Sequence, residues 1–213
     1  MQRDGTPGPV LRVLPYGDRA LLVEVADGAV GGIRAALEKA PLPGQVDLVA
    51  AARTVLVVLD RSPADADLAR LRQLAALPPT DDDAGSVTLD IVFDGPDLAD
   101  VARLTGSSES DLVEVLTAVE LTVAFTGFAP GFGYLTGLPP DLHMPRRDTP
   151  RTRVPAGSLG LAGPYAGIYP RASPGGWQLV GRTDAVLFDV ERDPPALLRP
   201  GTRVRFRSAG PPC

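Results

Sequence analysis

The first third of the chain shows apolar runs whose spacing predicts short strands. Val10–Tyr16 and Ala20–Val25 are apolar, β-branched runs separated by Gly-Asp-Arg, a turn signal, so they predict a strand pair. Val46–Ala50 and Thr54–Leu59 have the composition of two further strands. These four runs predict the sheet of a small domain.

Two helices are expected among these strands. Gly31–Ala40 predicts the first helix, which ends at the prolines that follow it. A second helix is predicted after Ser62, a candidate N-cap that precedes Pro63 at the first helical position. Leucines at three-residue spacing over residues 68–77 indicate its apolar face. The order β-β-α-β-β-α predicts an α+β N-terminal domain.

A polar, acidic segment separates this domain from the rest of the chain. Residues 78–86 read P-P-T-D-D-D-A-G-S, in which prolines and a glycine flank three consecutive carboxylates. This composition is typical of a linker. We therefore expect two domains, residues 1–80 and residues 81–213.

Beyond the linker, the apolar runs are short and are separated by turn residues. Two helices are expected at Leu98–Thr105 and Glu109–Ala118, with Ser108 as the N-cap of the second. Short β runs are found at Val87–Phe93, Leu121–Phe125, Ser158–Ala162, Gly167–Tyr169, Trp177–Val180, Val186–Phe188 and Thr202–Phe206. Many short strands with Gly and Pro turns predict a mainly-β barrel or sandwich.

Composition narrows the class of protein. The 213 residues are 44% hydrophobic and carry a net charge of −5, which is typical of a globular protein and argues against nucleic-acid binding. No apolar run approaches the roughly 20 residues of a membrane span, and residues 1–9 lack the apolar core of a secretory signal, so we expect a cytoplasmic location. With one histidine, His143, and one cysteine, Cys213, no metal site is expected.

One segment differs in composition from the rest. Residues 126–176 hold 10 Gly and 9 Pro, interleaved with aromatic residues that disordered segments lack. The segment contains five arginines and two aspartates, so it is basic within an acidic protein. Ordered irregular backbone is where binding groups concentrate. The segment therefore predicts a binding site for a small anionic ligand.

The sequence of this segment resembles a known family. It reads F-T-G-F-A-P-G-F-G-Y-L at 125–135, P-R-R-D-T-P-R-T-R-V-P-A-G-S-L-G-L-A-G at 145–163 and G-I-Y-P-R-A-S-P-G-G-W-Q-L-V-G-R-T at 167–183. The opening L-P-Y-G-D-R-A-L-L-V-E at 14–24 matches the same family. Together these motifs resemble the allophanate hydrolase subunit 1 / KipI family, whose enzymatic members are the B subunits of 5-oxoprolinase (PxpB-like).

The resemblance implies a fold and a set of partners. The fold is an α+β N-terminal domain followed by a cyclophilin-like β-barrel. The partners are a homologous barrel protein (allophanate hydrolase subunit 2 or the C subunit of 5-oxoprolinase) and a third, LamB/YcsF-type component, the A subunit. The activity implied is ATP-dependent opening of 5-oxoproline to glutamate. The alternatives are an allophanate hydrolase subunit 1 and a KipI-like histidine-kinase inhibitor.

The chain departs from the family in two respects that bear on this activity. It contains no G-x-x-x-x-G-K-[ST] phosphate loop, so it lacks a recognisable ATP motif. Leu116 stands where the family carries a histidine before the strand that leads into the signature. If that histidine transfers protons, this chain is impaired or uses another group, whereas if it only packs, leucine is a mild change.

Arginines are the leading candidates for ligand binding. Arg147 and Arg151, with Arg146 and Arg153 beside them, provide planar guanidinium groups that bind carboxylate or phosphate through paired hydrogen bonds. The alternative is a solvated basic loop or a rim that docks a partner.

The remaining candidates are apolar and backbone groups. Phe128, Pro130 and Phe132 are predicted to line an apolar groove for a small lactam, with core packing as the alternative. Gly157 and Ser158 are candidates for an oxyanion site, and Gln178 for a hydrogen bond to an amide. No catalytic residue is assigned.

Overall fold

The computed structural model describes residues 9–74 and 85–210. The chain divides into two compact units, Met1–Asp81 and Asp82–Cys213. Most of the predicted linker at residues 78–86, together with Leu77 and Cys213, lies outside the described residues.

The first unit contains a four-stranded antiparallel sheet and two helices. Its elements are β1 (Val10–Tyr16), β2 (Ala20–Val25), α1 (Val30–Lys39), β3 (Gln45–Ala50), β4 (Thr54–Leu59) and α2 (Asp65–Arg72). The strands are arranged in the order β1-β2-β4-β3. One face of the central strands packs against α1 and α2 through buried side chains that include Val23, Val57, Ile33, Leu37 and Leu71.

The N-terminus of α2 differs from the sequence-based expectation. Ser62 as the N-cap is wrong, because the helix begins at Asp65. The buried carboxylate of Asp67 accepts a hydrogen bond from the Ala64 N–H at 2.8 Å and from Arg61 Nη1 at 2.7 Å. Asp67 therefore satisfies the helix terminus that Ser62 was expected to cap.

The second unit is mainly β. Its elements are β5 (Ser86–Ile91), α3 (Leu98–Thr105), α4 (Glu109–Ala118), β6 (Glu120–Thr126), β7 (Gly133–Thr136), β8 (Arg151–Val154), β9 (Ser158–Ala162), β10 (Tyr165–Ile168), β11 (Ser173–Gly175), β12 (Gln178–Arg182) and β13 (Arg203–Ser208), with a 3₁₀ turn at Pro140–Leu142. Seven of these strands form one sheet in the order β12-β9-β10-β7-β6-β13-β5, and β8 pairs with β11.

The two edges of the seven-stranded sheet meet, so that it forms a nearly closed barrel. The Val92 N–H, just after β5, donates to the carbonyl of Arg182 in β12 at 2.8 Å, and the Arg182 N–H donates back at 2.9 Å. The barrel core contains strand residues such as Ile91, Leu121 and Leu135 together with residues of α3 and α4.

The helices of this unit lie at their predicted positions. Ser108 is confirmed as the N-cap of α4, since its Oγ accepts a hydrogen bond from the Asp111 N–H at 3.1 Å. Leu116 is completely buried within the barrel core. A packing role for this position therefore fits the structure, and Leu116 does not line the pocket described below.

One predicted strand is wrong. Residues 186–188 form no strand, and only Phe188 makes an isolated bridge, to Ala196. Leu187 is buried, but Val186 is 61% exposed, and none of the strands in the described residues runs alongside the segment. None of the described helices is long and apolar enough to cross a membrane.

Candidate functional site

A pocket of about 130 Å³ lies on the second unit, in the segment of unusual composition. Its wall combines the β6–β7 loop, the loop before β8, the end of β10 and the turn between β11 and β12. The residues that line it, here called the aromatic pocket, are Phe128, Phe132, Tyr134, Arg146, Tyr169, Pro174, Gly175, Gly176 and Trp177.

Phe132 organises the aromatic wall. Its ring meets the rings of Phe128, Tyr134, Tyr169 and Trp177 edge-on, with centroids 5.3, 5.0, 5.5 and 5.5 Å away. Phe132 itself is only 2% exposed, so it belongs to the core as well as to the pocket. Edge-to-face pairs each contribute about 0.5–1.5 kcal/mol beyond burial, so these contacts stabilise the arrangement of the wall.

Phe128 is held over the pocket in a strained backbone conformation. Within the described part of the chain it alone among non-glycine residues has a positive φ, +66°. The Ala129 N–H donates to the Gly127 carbonyl at 2.7 Å, which encloses Phe128 in a γ-turn. Such strain costs about 1–3 kcal/mol and persists where the surrounding structure enforces it. Phe128 is 58% exposed, so this strained conformation places an apolar ring at the protein surface.

Tyr169 contributes a buried hydroxyl to the wall. The residue is 2% exposed, and its hydroxyl lies so close to Gly175 that a side chain at Gly175 would collide with it. Burial raises the pKa of the Tyr169 phenol, while the positive charges of Arg146 and Arg151 oppose part of that rise. The phenol therefore stays protonated and able to donate a hydrogen bond at neutral pH.

Tyr169→Phe is expected to reduce the loss of stability in alkaline solution. The pKa of Tyr169 is raised in the folded state, so the unfolded chain releases this proton first, above about pH 10, and stability then falls as pH rises. Urea unfolding on both sides of about pH 10 should show a steeper decline for the wild type than for the variant. Equal slopes would contradict the burial of an un-ionised phenol.

The two arginines favoured by the sequence lie outside the aromatic pocket. Arg147 Nη1 and Arg151 Nη2 each donate to Oδ1 of Asp97 at 2.7 Å. Oδ2 of Asp97 accepts the Leu179 N–H of β12 at 2.7 Å, and the Asp97 side chain is 2% exposed. Through these hydrogen bonds, the Asp97 carboxylate links the start of α3 to both arginines and to β12. A direct role of Arg147 and Arg151 in ligand binding stays a prediction.

Arg146 is the arginine that lines the aromatic pocket. It is exposed and has no hydrogen-bond or ion-pair partner among the described residues. The backbone on each side of it is fixed, since Gln178 Nε2 donates to the Pro145 carbonyl at 3.1 Å and the Arg147 N–H donates to the Gly176 carbonyl at 2.8 Å. Gln178 thus supports the loop beside the pocket.

Three other predicted residues lie away from the pocket lining. The Gly157 N–H donates to the Tyr169 carbonyl at 2.7 Å, and the Ser158 N–H donates to the Pro155 carbonyl at 3.4 Å, so both amides already have partners. Ser158 is 6% exposed, whereas Pro130 is exposed on its loop. Their roles in binding stay predictions.

Sequence reasoning missed Asp97 and Tyr169. Asp97 sits in D-G-P-D just before α3, a signal that resembles an ordinary turn, and its partners come 50, 54 and 82 residues later. Tyr169 could have been found from the sequence, because it falls inside the aromatic, glycine-rich segment.

The pocket can hold a small planar ring against its aromatic wall and a negative charge against Arg146.

This barrel and pocket belong to a carboxyltransferase-type domain. Residues 11–198 match the model of the carboxyltransferase domain, subdomain C and D, and the chain belongs to that family. The resemblance to the allophanate hydrolase subunit 1 family drawn from the sequence is confirmed. The chain is 32% identical over 214 residues to the B subunit of 5-oxoprolinase from Bacillus subtilis (strain 168), and this match covers 89% of each protein.

Further relatives match parts of the chain or parts of their own length. The chain is 59% identical over 112 residues to the B subunit of 5-oxoprolinase from Escherichia coli O157:H7, and this match spans only about half of each protein, 53% of this chain and 51% of the relative. It is 44% identical over 141 residues to the protein of that name from Haemophilus influenzae, covering 64% of this chain and 66% of the relative.

Solved structures share the fold. TTHA0988 is 34% identical with a TM-score of 0.75, and the match covers 91% of this chain but only 40% of that protein. An uncharacterised protein from Pyrococcus horikoshii, PH0987, is 30% identical with a TM-score of 0.57, covering 93% of this chain and 98% of that one. Kluyveromyces lactis urea carboxylase, at 21% identity and a TM-score of 0.68, shares the fold alone; that match covers 95% of this chain and 23% of the carboxylase.

Proposed function

We propose that this chain is the B subunit of a 5-oxoprolinase-type complex that opens 5-oxoproline to glutamate with ATP. The names of the relatives support this assignment. The observation that carries it is the aromatic pocket. There an exposed, strained Phe128 faces the same space as Arg146, which is unpaired among the described residues.

The proposed substrate fits the chemistry of the pocket. 5-Oxoproline is a small, nearly flat lactam ring that bears one carboxylate. Phe128 and Trp177 offer apolar faces to the ring, and Tyr169 offers a neutral hydroxyl to a carbonyl oxygen. Arg146 supplies the positive charge that a carboxylate requires.

The pocket needs a partner to complete a reaction. Among the described residues that line it, none is a carboxylate, imidazole, thiol or amine, so it offers no strong general base or nucleophile. We propose that these groups come from a homologous barrel protein, the C subunit of such a complex, and from a LamB/YcsF-type A subunit. This chain would bind and orient the lactam and exclude water from one face of it.

ATP does not fit the aromatic pocket. A nucleoside triphosphate needs several cationic or N–H donors and oxygen ligands for Mg²⁺, whereas the described lining has one arginine and no carboxylate. We therefore propose that ATP is bound elsewhere in the complex, by one of the partner proteins. The dependence on ATP also favours a cytoplasmic location for the complex.

Phe128→Gly is expected to lower turnover by about tenfold with little net change in stability, because the relief of backbone strain offsets the lost ring contacts with Phe132 and Tyr169. Glycine accepts the positive φ without strain, but it removes a ring whose contact with substrate contributes about 1–2 kcal/mol. The measurement is ATP-dependent glutamate release from 5-oxoproline by the chain co-purified with its partner subunits. Val190→Gly, at a residue 76% exposed and outside the pocket lining, is the matched control.

The outcomes separate the competing functions. Glutamate release that falls in Phe128→Gly and persists in Val190→Gly supports the proposal. A stable complex that leaves 5-oxoproline intact would refute it. Cleavage of allophanate instead would reassign the chain as an allophanate hydrolase subunit 1.

A further inference from the structure

We propose that Arg146 is the residue through which the aromatic pocket recognises an anion, and that Asp97, Arg147 and Gln178 position it. The site would take small planar rings that carry one carboxylate. The inference rests on the proposed function and deepens it, because it assigns the carboxylate of the substrate to one side chain.

Local charge balance singles out Arg146. The side chains of Arg147 and Arg151 share Oδ1 of the buried Asp97, each at 2.7 Å, so their charges are partly neutralised within the protein. Arg146 lies beside them in the chain and has no such partner among the described residues. Arg147 Nε and Arg151 Nη1 also lack hydrogen-bond partners, but they are buried and outside the pocket lining, so a ligand carboxylate at the pocket would meet the guanidinium of Arg146.

The loop that carries Arg146 is fixed on both sides. Pro145 before it accepts a hydrogen bond from Gln178, and Arg147 after it is bonded through both its backbone N–H and its guanidinium. These bonds restrict the backbone within one residue of Arg146. Because this backbone is already fixed, less conformational entropy is lost when the Arg146 side chain binds a ligand.

The apolar pocket wall would strengthen an ion pair between Arg146 and a bound carboxylate. The rings of Phe128, Phe132 and Trp177 give the pocket an apolar wall beside the exposed Arg146, and an ion pair gains strength where the effective dielectric constant is lower. The charge of Arg146 already acts across the pocket, since it opposes the rise in pKa that burial causes at Tyr169. A carboxylate bound there would contact Arg146 and lie near the protonated Tyr169 hydroxyl.

Trp177 provides a built-in reporter for the test. It is the chain's single tryptophan and lines the aromatic pocket. Titration of the full chain with 5-oxoproline is expected to change its fluorescence. The matched probe is 2-pyrrolidone, which has the same ring without the carboxylate and is expected to bind more weakly. Calorimetric titration of the same pairs measures binding independently of the optical signal.

Arg146→Met is expected to weaken 5-oxoproline binding by about 10–100-fold and to leave 2-pyrrolidone binding unchanged, because the variant loses a charged hydrogen-bond donor to the carboxylate. Arg146→Lys is expected to restore part of the loss. The control is Arg153→Met, which removes an exposed arginine of the same segment that does not line the pocket, and it should bind both probes as the wild type does.

Gln178→Met tests positioning, since it removes the hydrogen bond to Pro145 and retains similar bulk. It is expected to weaken 5-oxoproline binding by about three- to tenfold, with 2-pyrrolidone unaffected. A purely structural role would weaken both probes together. Equal weakening would therefore overturn the positioning role of Gln178.

The inference and the proposed function fail separately. Equal affinity of wild type and Arg146→Met for 5-oxoproline, or no binding of either probe by fluorescence and calorimetry, overturns the inference even if the complex releases glutamate. Binding of 5-oxoproline that depends on Arg146, in a complex without turnover, overturns the proposed function and supports the carboxylate site.

Discussion

Asp97→Ala is expected to lower the free energy of unfolding of the second unit by about 3 kcal/mol or more. The substitution leaves Arg147 and Arg151 without their shared carboxylate and the Leu179 N–H without its acceptor. Removing one member of a buried ion pair costs about 3–5 kcal/mol, because the remaining charge stays desolvated. The arginine side chains are 34% and 23% exposed, so water offsets part of the cost and favours the lower figure.

The matched control for this prediction lies three residues away. Asp94 also pairs with an arginine, Arg182, at 3.0 Å, but these side chains are 48% and 42% exposed. Exposed pairs contribute about 0–1 kcal/mol, so Asp94→Ala should change stability little. Urea unfolding followed by Trp177 fluorescence reports on the second unit. Equal losses in the two variants would contradict the special role of the buried carboxylate.

Gly157→Ala is expected to destabilise the barrel by about 3 kcal/mol. Gly157 has a φ of +79°, where a side chain costs about 1–2 kcal/mol. A Cβ at this position would also collide with the carbonyl oxygen of Thr183. Thr183 cannot easily move away, since its N–H donates to the Gly157 carbonyl at 2.9 Å, and relieving such an overlap adds about 1–3 kcal/mol.

Gly106→Ala separates the backbone strain from the collision. Gly106 follows α3 with a φ of +67°, and a Cβ there would meet no atom within 4 Å. Only the strain applies, so a loss of about 1 kcal/mol is expected. Denaturant unfolding of both variants provides the comparison. If Gly157→Ala were no worse than Gly106→Ala, the close packing against Thr183 would be refuted.

Local patterns in the sequence predict the helices of the second unit well. The apolar spacing of α3 and α4 and the capping hydroxyl of Ser108 involve residues only a few positions apart. These helices can therefore be recognised from the local sequence. Residues 186–188 show where such patterns mislead. Their composition is that of a strand, but a strand also requires a neighbour, and no strand in the part of the chain that the structure describes pairs with them.

Three very short strands of the second unit were not predicted. β7, β8 and β11 have only three or four residues each, which is too short for a clear alternating pattern, and S-P-G in β11 has the composition of a turn. Their pairing is set by distant segments of the barrel, because β11 gains its hydrogen bonds from β8, which lies well before it in the chain. The strand propensity of three or four residues is too weak to identify these segments as strands.

From the sequence alone, the segment from residue 126 to 176 is predicted to carry the candidate site, because aromatic residues among glycines and prolines indicate an ordered, irregular surface. It also supplied Phe128 and Phe132, which both line the pocket. Which arginine lines that pocket depends on contacts between distant segments of the chain. Asp97 reaches Arg147 and Arg151 across 50 and 54 residues, and pairing at that distance depends on how the barrel closes rather than on any local pattern.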